Sequence, residues 1–214
     1  MLVKKYRGDT IVEVCFALAI FSFLAVLAIS TMNSNLSTVQ ATLETTSVRN
    51  EIDAQTEAVR FIYNTYLSER NVKSELELSP IAKSWKTLTE NAYNHNKTLS
   101  WPVETCQAAY DNITNMQIIN TRNLNGNNIV FSRSSNLFKT APINSRLLYN
   151  EENEISDVEG IWLYAVKSET KKDSQPEFYD FYIQACWYNA GRSTPTTLDT
   201  TIRLSNPDYK GATS

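Results

Sequence analysis

Histidine is almost missing from this chain: His95 is the only one among 214 residues. That leaves little material for a His-rich metal centre or a His-dependent catalytic centre. Glycine and proline are also scarce, at five and six residues, which excludes a collagen-like or low-complexity chain. No C-x-x-C pair occurs among the three cysteines, so neither a redox motif nor a zinc site has support. A nucleophile elbow, a P-loop and a dinucleotide-binding fingerprint are absent too. These gaps point to a protein that is no enzyme and needs no cofactor. The formal net charge of −3 argues against a general nucleic-acid binder. What remains is 42% hydrophobic and 20% charged residues, enough for a real core and too apolar for wholesale disorder.

The charges are unevenly placed. Lys4, Lys5 and Arg7 precede an apolar run over residues 11–29, IVEVCFALAIFSFLAVLAI, whose one charge is Glu13. No further Lys or Arg occurs until Arg49. As a helix the run spans roughly 28 Å, close to the hydrocarbon thickness of a bilayer. The positive-inside rule puts Met1 in the cytoplasm and the bulk of the chain outside. The run reads as an uncut signal anchor or as a leader cleaved after residues 28–30. A buried core helix is disfavoured, because the run is apolar on every side. None of these accounts for Glu13, since a carboxylate inside an apolar span costs about 2.5–3.5 kcal/mol.

The order Arg7-Gly8-Asp9-Thr10-Ile11-Val12-Glu13 resembles the N-terminal motif of the type IV pilin and pseudopilin family. That motif is a short basic leader ending in Gly, a cleavage point, and Glu at the fifth mature position of an apolar helix. The resemblance implies that a prepilin peptidase cuts between Gly8 and Asp9 and methylates the new amine. It implies that Glu13 pairs with the N-terminal amine of a neighbouring pilin subunit during filament assembly. It further implies an assembly platform and a motor ATPase as partners. The subunit would be stored as a single-pass protein of the cytoplasmic membrane, then incorporated in an extracellular filament. Pilus, competence and secretion filaments, and principal and minor subunits, all fit. The first mature residue in this family is usually Phe or Met, and here it is Asp9. No residue points to DNA or a surface ligand. From the residues alone, a membrane-anchored ectodomain with a binding role is the rival reading.

Residues 30–67 contain no Gly and no Pro. Leu36, Val39, Leu43, Val48, Ile52, Val59, Ile62, Tyr63 and Tyr66 recur largely at helical spacing. The helix is thus expected to run on to about residue 68, with a break within the Ser/Thr/Asn-rich stretch 30–46 as an option. Pro80 is expected to open a second helix reaching residue 94. Strand signals follow at 129–131, after the turn pair Asn125-Gly126, and at 160–166, 178–188 and 197–204. Trp162, Tyr164, Tyr182 and Trp187 fall in these strands and are read as core packing. Cys106 and Cys186 form an even pair outside the apolar run and suggest a disulfide; the alternative is two thiols that never meet. The expected fold class is α+β, a long N-terminal helix packed on an antiparallel sheet. The expected division is a leader at 1–8, a helix at 9–68 that is transmembrane over 11–29, and a head at 69–214.

Overall fold

The structure, a computed structural model, describes residues 9–95, 104–124, 126, 128–139, 145–169, 176–189 and 193–209; the side chains of Asp9, Thr10 and Ser37 lie outside that description. The fold is α+β. Its longest element is α1 (Asp9–Glu69), 61 residues without Gly or Pro, or about 92 Å of helix. Two shorter helices follow, α2 (Pro80–Glu90) and α3 (Cys106–Asn112). The strands are β1 (Gln117–Ile119), β2 (Val130–Ser132), β3 (Phe138–Lys139), β4 (Arg146–Tyr149), β5 (Ile155–Glu159), β6 (Ile161–Lys167), β7 (Phe178–Trp187) and β8 (Thr196–Ser205). The chain divides into two compact units, Met1–Leu43 and Glu44–Ser214.

The break considered within 30–46 is not found: α1 is helical throughout that stretch. Threonine hydroxyls there have local acceptors. Thr38 donates to the Ser34 carbonyl at 3.1 Å and Thr42 to the Thr38 carbonyl at 2.9 Å, one turn back. Such bonds occupy the group that otherwise competes for the helix backbone.

In the second unit, α1 buries Val48, Ile52, Gln55, Val59, Ile62 and Tyr66, at alternating steps of four and three residues. That spacing keeps them on one face. Arg49, Asp53, Glu57 and Arg60 occupy the exposed remainder. Leu36, Val39 and Leu43, which share the spacing in sequence, are exposed. Pro80 sits at the first turn of α2, and the Ser79 hydroxyl caps it by accepting the Ala82 N–H at 3.2 Å. The apolar side of α2 carries Trp85, 1% exposed. Its ring meets Tyr63 and Tyr66 of α1 and Tyr179 and Phe181 of β7, with centroids 5.0–6.3 Å apart. One indole thus joins both helices to the sheet. The helix ends at Glu90, short of the expected residue 94, because the chain turns to reach the sheet. Tyr93 donates its N–H to the Ala165 carbonyl and accepts from the Lys167 N–H, both at 2.8 Å.

Five strands form an antiparallel sheet in the order β2-β1-β6-β7-β8. Its three long strands lie where β-branched and aromatic runs are read in the sequence. A second sheet, β3-β5-β4, has β3 parallel to β5. Of the strands of two to five residues, β2 lies where a strand is read at 129–131, while β1, β3, β4 and β5 carry too little periodicity to be seen in sequence. Trp162, Tyr164 and Trp187 are buried, and Tyr182 stacks on Tyr164 with centroids 5.2 Å apart. Cys106 of α3 and Cys186 of β7 are joined by a disulfide, their Cα atoms 5.4 Å apart. Closing a loop of this length contributes about 4 kcal/mol in the chain-entropy model.

One buried polar residue stands out. Gln55 donates its amide to the Ile119 carbonyl at 2.8 Å and accepts the Ile119 N–H at 3.0 Å. It does for the end of β1 what a neighbouring strand would do. Truncation leaves both backbone groups buried and unpaired, at about 1–3 kcal/mol each. Denaturant unfolding of the full chain should therefore show Gln55→Ala less stable by about 2–4 kcal/mol, and an unchanged midpoint would refute the clamp.

Tyr66 donates to Asp208 at 2.8 Å, and Arg70 pairs with the same carboxylate at 3.4 Å. Burial, and then the hydrogen bond to Asp208, push the Tyr66 phenol up to about 12. The folded chain thus favours the neutral phenol. Its contribution is complete below the ordinary value of 10.0 and is lost as pH rises through about 12. Melting curves across that window should fall less steeply for Tyr66→Phe than for the parent chain; parallel curves would count against the assignment.

Candidate functional site

The residues singled out by the sequence motif lie at the start of α1. Gly8 is outside the described residues. Asp9 is the first residue of α1, and Glu13 follows one turn later. That i, i+4 relation puts the two acidic residues on one side of the helix, in the turns where the macrodipole is positive. Within residues 9–43 of α1 there is no Lys, Arg or His; the first cation along the helix is Arg49. Among the described residues Glu13 forms no salt bridge.

Around this carboxylate the helix surface is apolar and exposed. Ile11, Val12, Phe16, Ile20, Phe21, Phe23, Leu24 and Ile29 are among those left uncovered, Ile11 at 73% and Phe16 at 68%. Each such side chain forgoes about 1.5–3 kcal/mol of hydrophobic stabilisation while it faces water. The segment is long and apolar enough to cross a membrane. Cys15 carries a free, exposed thiol in the same stretch.

Two of the surface clefts of the second unit gather charged or polar groups that sequence did not mark. One, of about 410 Å³, is lined by Tyr66, Arg70, Lys73, Glu75, Lys86 and Asp208. Three cations around one cleft suggest an anion site, but each is matched to a carboxylate. Arg70 pairs with Asp208, Lys73 with Glu69 at 3.2 Å, and Lys86 with Glu75. The other, of about 200 Å³, is lined by amides and hydroxyls, with Arg133 at its wall. That guanidinium donates to the Tyr110 and Ile113 carbonyls at 2.6 and 3.1 Å and lies over the Tyr110 ring. Its groups serve the fold. Both clefts gather residues far apart in the chain, so no local motif could reveal them.

The acidic turn 151–154 is likewise built into the structure. Glu154 accepts from the side chains of Asn120 and Asn123 at 3.3 and 2.8 Å. Asn150 accepts the N–H groups of Glu152 and Glu154. Among the described residues no group of three or more His, Cys, Asp or Glu side chains is placed to hold a metal. Comparison with family models, with curated proteins and with solved structures finds no match to this chain.

The charge-poor start of α1 is therefore the part of the chain whose surface most plainly lacks its natural surroundings. Whether lipid covers it is measurable. In membranes washed with alkaline carbonate the full chain should stay in the pellet. Replacing both Phe21 and Leu24 with Arg adds about 2.5–3.5 kcal/mol per charge and should move most of the chain to the supernatant. Retention of the double variant would show that residues 11–29 are not what holds the protein.

Proposed function

We propose that this chain is a structural subunit of the type IV pilin and pseudopilin class, made as a membrane-held precursor and assembled into a filament through the first half of α1. The observation that carries this reading is Glu13, a lone carboxylate on an exposed apolar helix, five residues after a basic stretch that ends in Gly8. The α+β layout, with an antiparallel sheet against the second half of α1, is consistent with it.

A prepilin peptidase cleaves after Gly8, removing Lys4, Lys5 and Arg7 and freeing the amine of Asp9. The apolar helix holds the subunit in the bilayer, with Glu13 near one end of the span, where a carboxylate is least costly. A platform protein and a motor ATPase then move it into a growing helical bundle. Apolar packing favours contact between such helices but does not choose among axial offsets. A carboxylate and an ammonium buried together attract strongly, and either alone carries a desolvation cost. Only the offset that brings Glu13 to the amine of an adjacent subunit satisfies both. The first mature residue in this reading, Asp9, brings a carboxylate of its own, so this chain has a second acceptor that competes with Glu13 for the same cation. The head then covers the filament surface.

Intact mass of the protein from its host tests the processing step. A subunit begins at Asp9 and carries one extra methyl, an anchored ectodomain begins at Met1, and a secreted protein begins near Thr31. Chains that all retain residues 1–8 would overturn the reading. Glu13→Val should leave membrane insertion intact and reduce recovery in sheared filaments by about tenfold, the equivalent of ~1.4 kcal/mol. Recovery equal to the parent would remove the role given to Glu13.

A further inference from the structure

Strand β8 is the long open edge of the second unit. All ten of its residues pair with β7 in unbroken register, and it ends the five-stranded order. Among the described residues no strand is bonded to its outer side. The opposite edge, β2, has only three residues. A long edge presents a row of backbone donors and acceptors and so templates another strand. Proteins blunt such edges with charged side chains, above all Lys, with Pro or with bulges. β8 has no Pro, Lys or bulge. Its two charges, Asp199 and Arg203, have opposite signs and flank Thr201 symmetrically.

We propose that β8 pairs antiparallel with β8 of a second copy of this chain, about a twofold axis through Thr201. In that register residue 201−n faces residue 201+n. Thr201 faces itself, Asp199 faces the partner's Arg203, and Arg203 faces the partner's Asp199. Leu198 faces Leu204, and Thr200 faces Ile202. Side chains alternate along a strand, so the charged pairs share one face and the leucine pairs the other. Asp199, Thr201 and Arg203 are exposed on their face, while Leu198 and Leu204 pack beside the buried Ile202 on theirs. Moving the axis by one residue breaks both matches: centred on Thr200, Arg203 faces Thr197, and centred on Ile202, it faces Thr201.

Arg203 is fixed in place by groups of its own chain, and the contact would add to that pair rather than replace it. Its Nε and Nη2 donate to the two Asp180 oxygens at 2.7 and 2.8 Å, and its plane lies over Phe178. Nη1 is on the side of the guanidinium away from that pair. Exposed charges are screened by salt, so the pairing weakens as ionic strength rises. A twofold contact closes on itself and yields a pair. The inference does not rest on the filament reading, and an uncut Gly8–Asp9 bond would leave it standing.

Disulfide trapping tests it with the full chain in lipid vesicles, in a Cys15→Ser background that removes the free thiol. Thr201→Cys faces itself across the axis and should oxidise to a covalent dimer. Asp199→Cys alone and Arg203→Cys alone place their thiols about 13 Å apart along the strands, and a 1:1 mixture of the two variants brings them together. Thr201→Cys and the mixture should each give about tenfold more dimer than either single variant, because bridging requires Cα atoms within about 7 Å. Far- and near-ultraviolet dichroism matching the parent confirms that each variant is folded. Equal trapping at 199, 201 and 203, no dimer from Thr201→Cys, or adducts to a foreign protein without a homodimer would each overturn self-pairing.

Discussion

An apolar helix surface with no protein to cover it is the constraint on which the rest depends. Residues 11–29 of α1 carry bulky side chains on every side and a single charge. A soluble domain would bury such a helix or break it. Among the described residues neither is seen, and the segment is long and apolar enough to cross a membrane. On such a surface a carboxylate is out of place, at a cost of about 2.5–3.5 kcal/mol at the centre of a span and less near its end, where Glu13 lies. A cation supplied by another chain would fit both the cost and the absence of Lys, Arg and His from residues 9–43.

One helix serves two environments, and the composition changes where the environment does. Over residues 11–29 the apolar residues have no preferred side. From Val48 on they fall on one face, and charges fill the rest. Between them lies a stretch of Ser, Thr and Asn, too polar for the bilayer and too regular for a loop. Threonines in it turn their hydroxyls back on the helix. Low intrinsic propensity is thereby overridden by local hydrogen bonds and by continuity with strong helix on both sides.

What could be read in advance follows from which signals are local. Residues 9–69 are legible as helix because they lack Gly and Pro over 61 positions. β6, β7 and β8 are legible because seven to ten residues suffice to show β-branched and aromatic enrichment. The α2 start is legible in Ser79-Pro80. Its end is not, because the bonds that draw Tyr93 onto β6 join positions more than 70 apart. α3, β1, β3, β4 and β5 escape for the same reason: each is held by partners elsewhere. Gln55 is the clearest case. In sequence it is a polar residue in an amphipathic helix; its clamp on Ile119, 64 positions away, emerges only in the fold. The motif around Glu13 is the reverse, since its pattern is visible in seven residues while no salt bridge among the described residues involves it.

The second unit has its own sources of stability. Its core includes the Val48–Tyr66 face of α1, Trp85 and the inner side of the sheet. Gln55 and the Cys106–Cys186 bridge tie α1 and α3 to strands of that same unit. None of these contacts uses a residue before Glu44. The proposed exchange of surroundings by residues 9–43, from lipid to neighbouring helices, would leave these contacts in place. In that assembly Glu13 and Asp9, the two charges of residues 9–43, would be what sets one axial offset apart from the next.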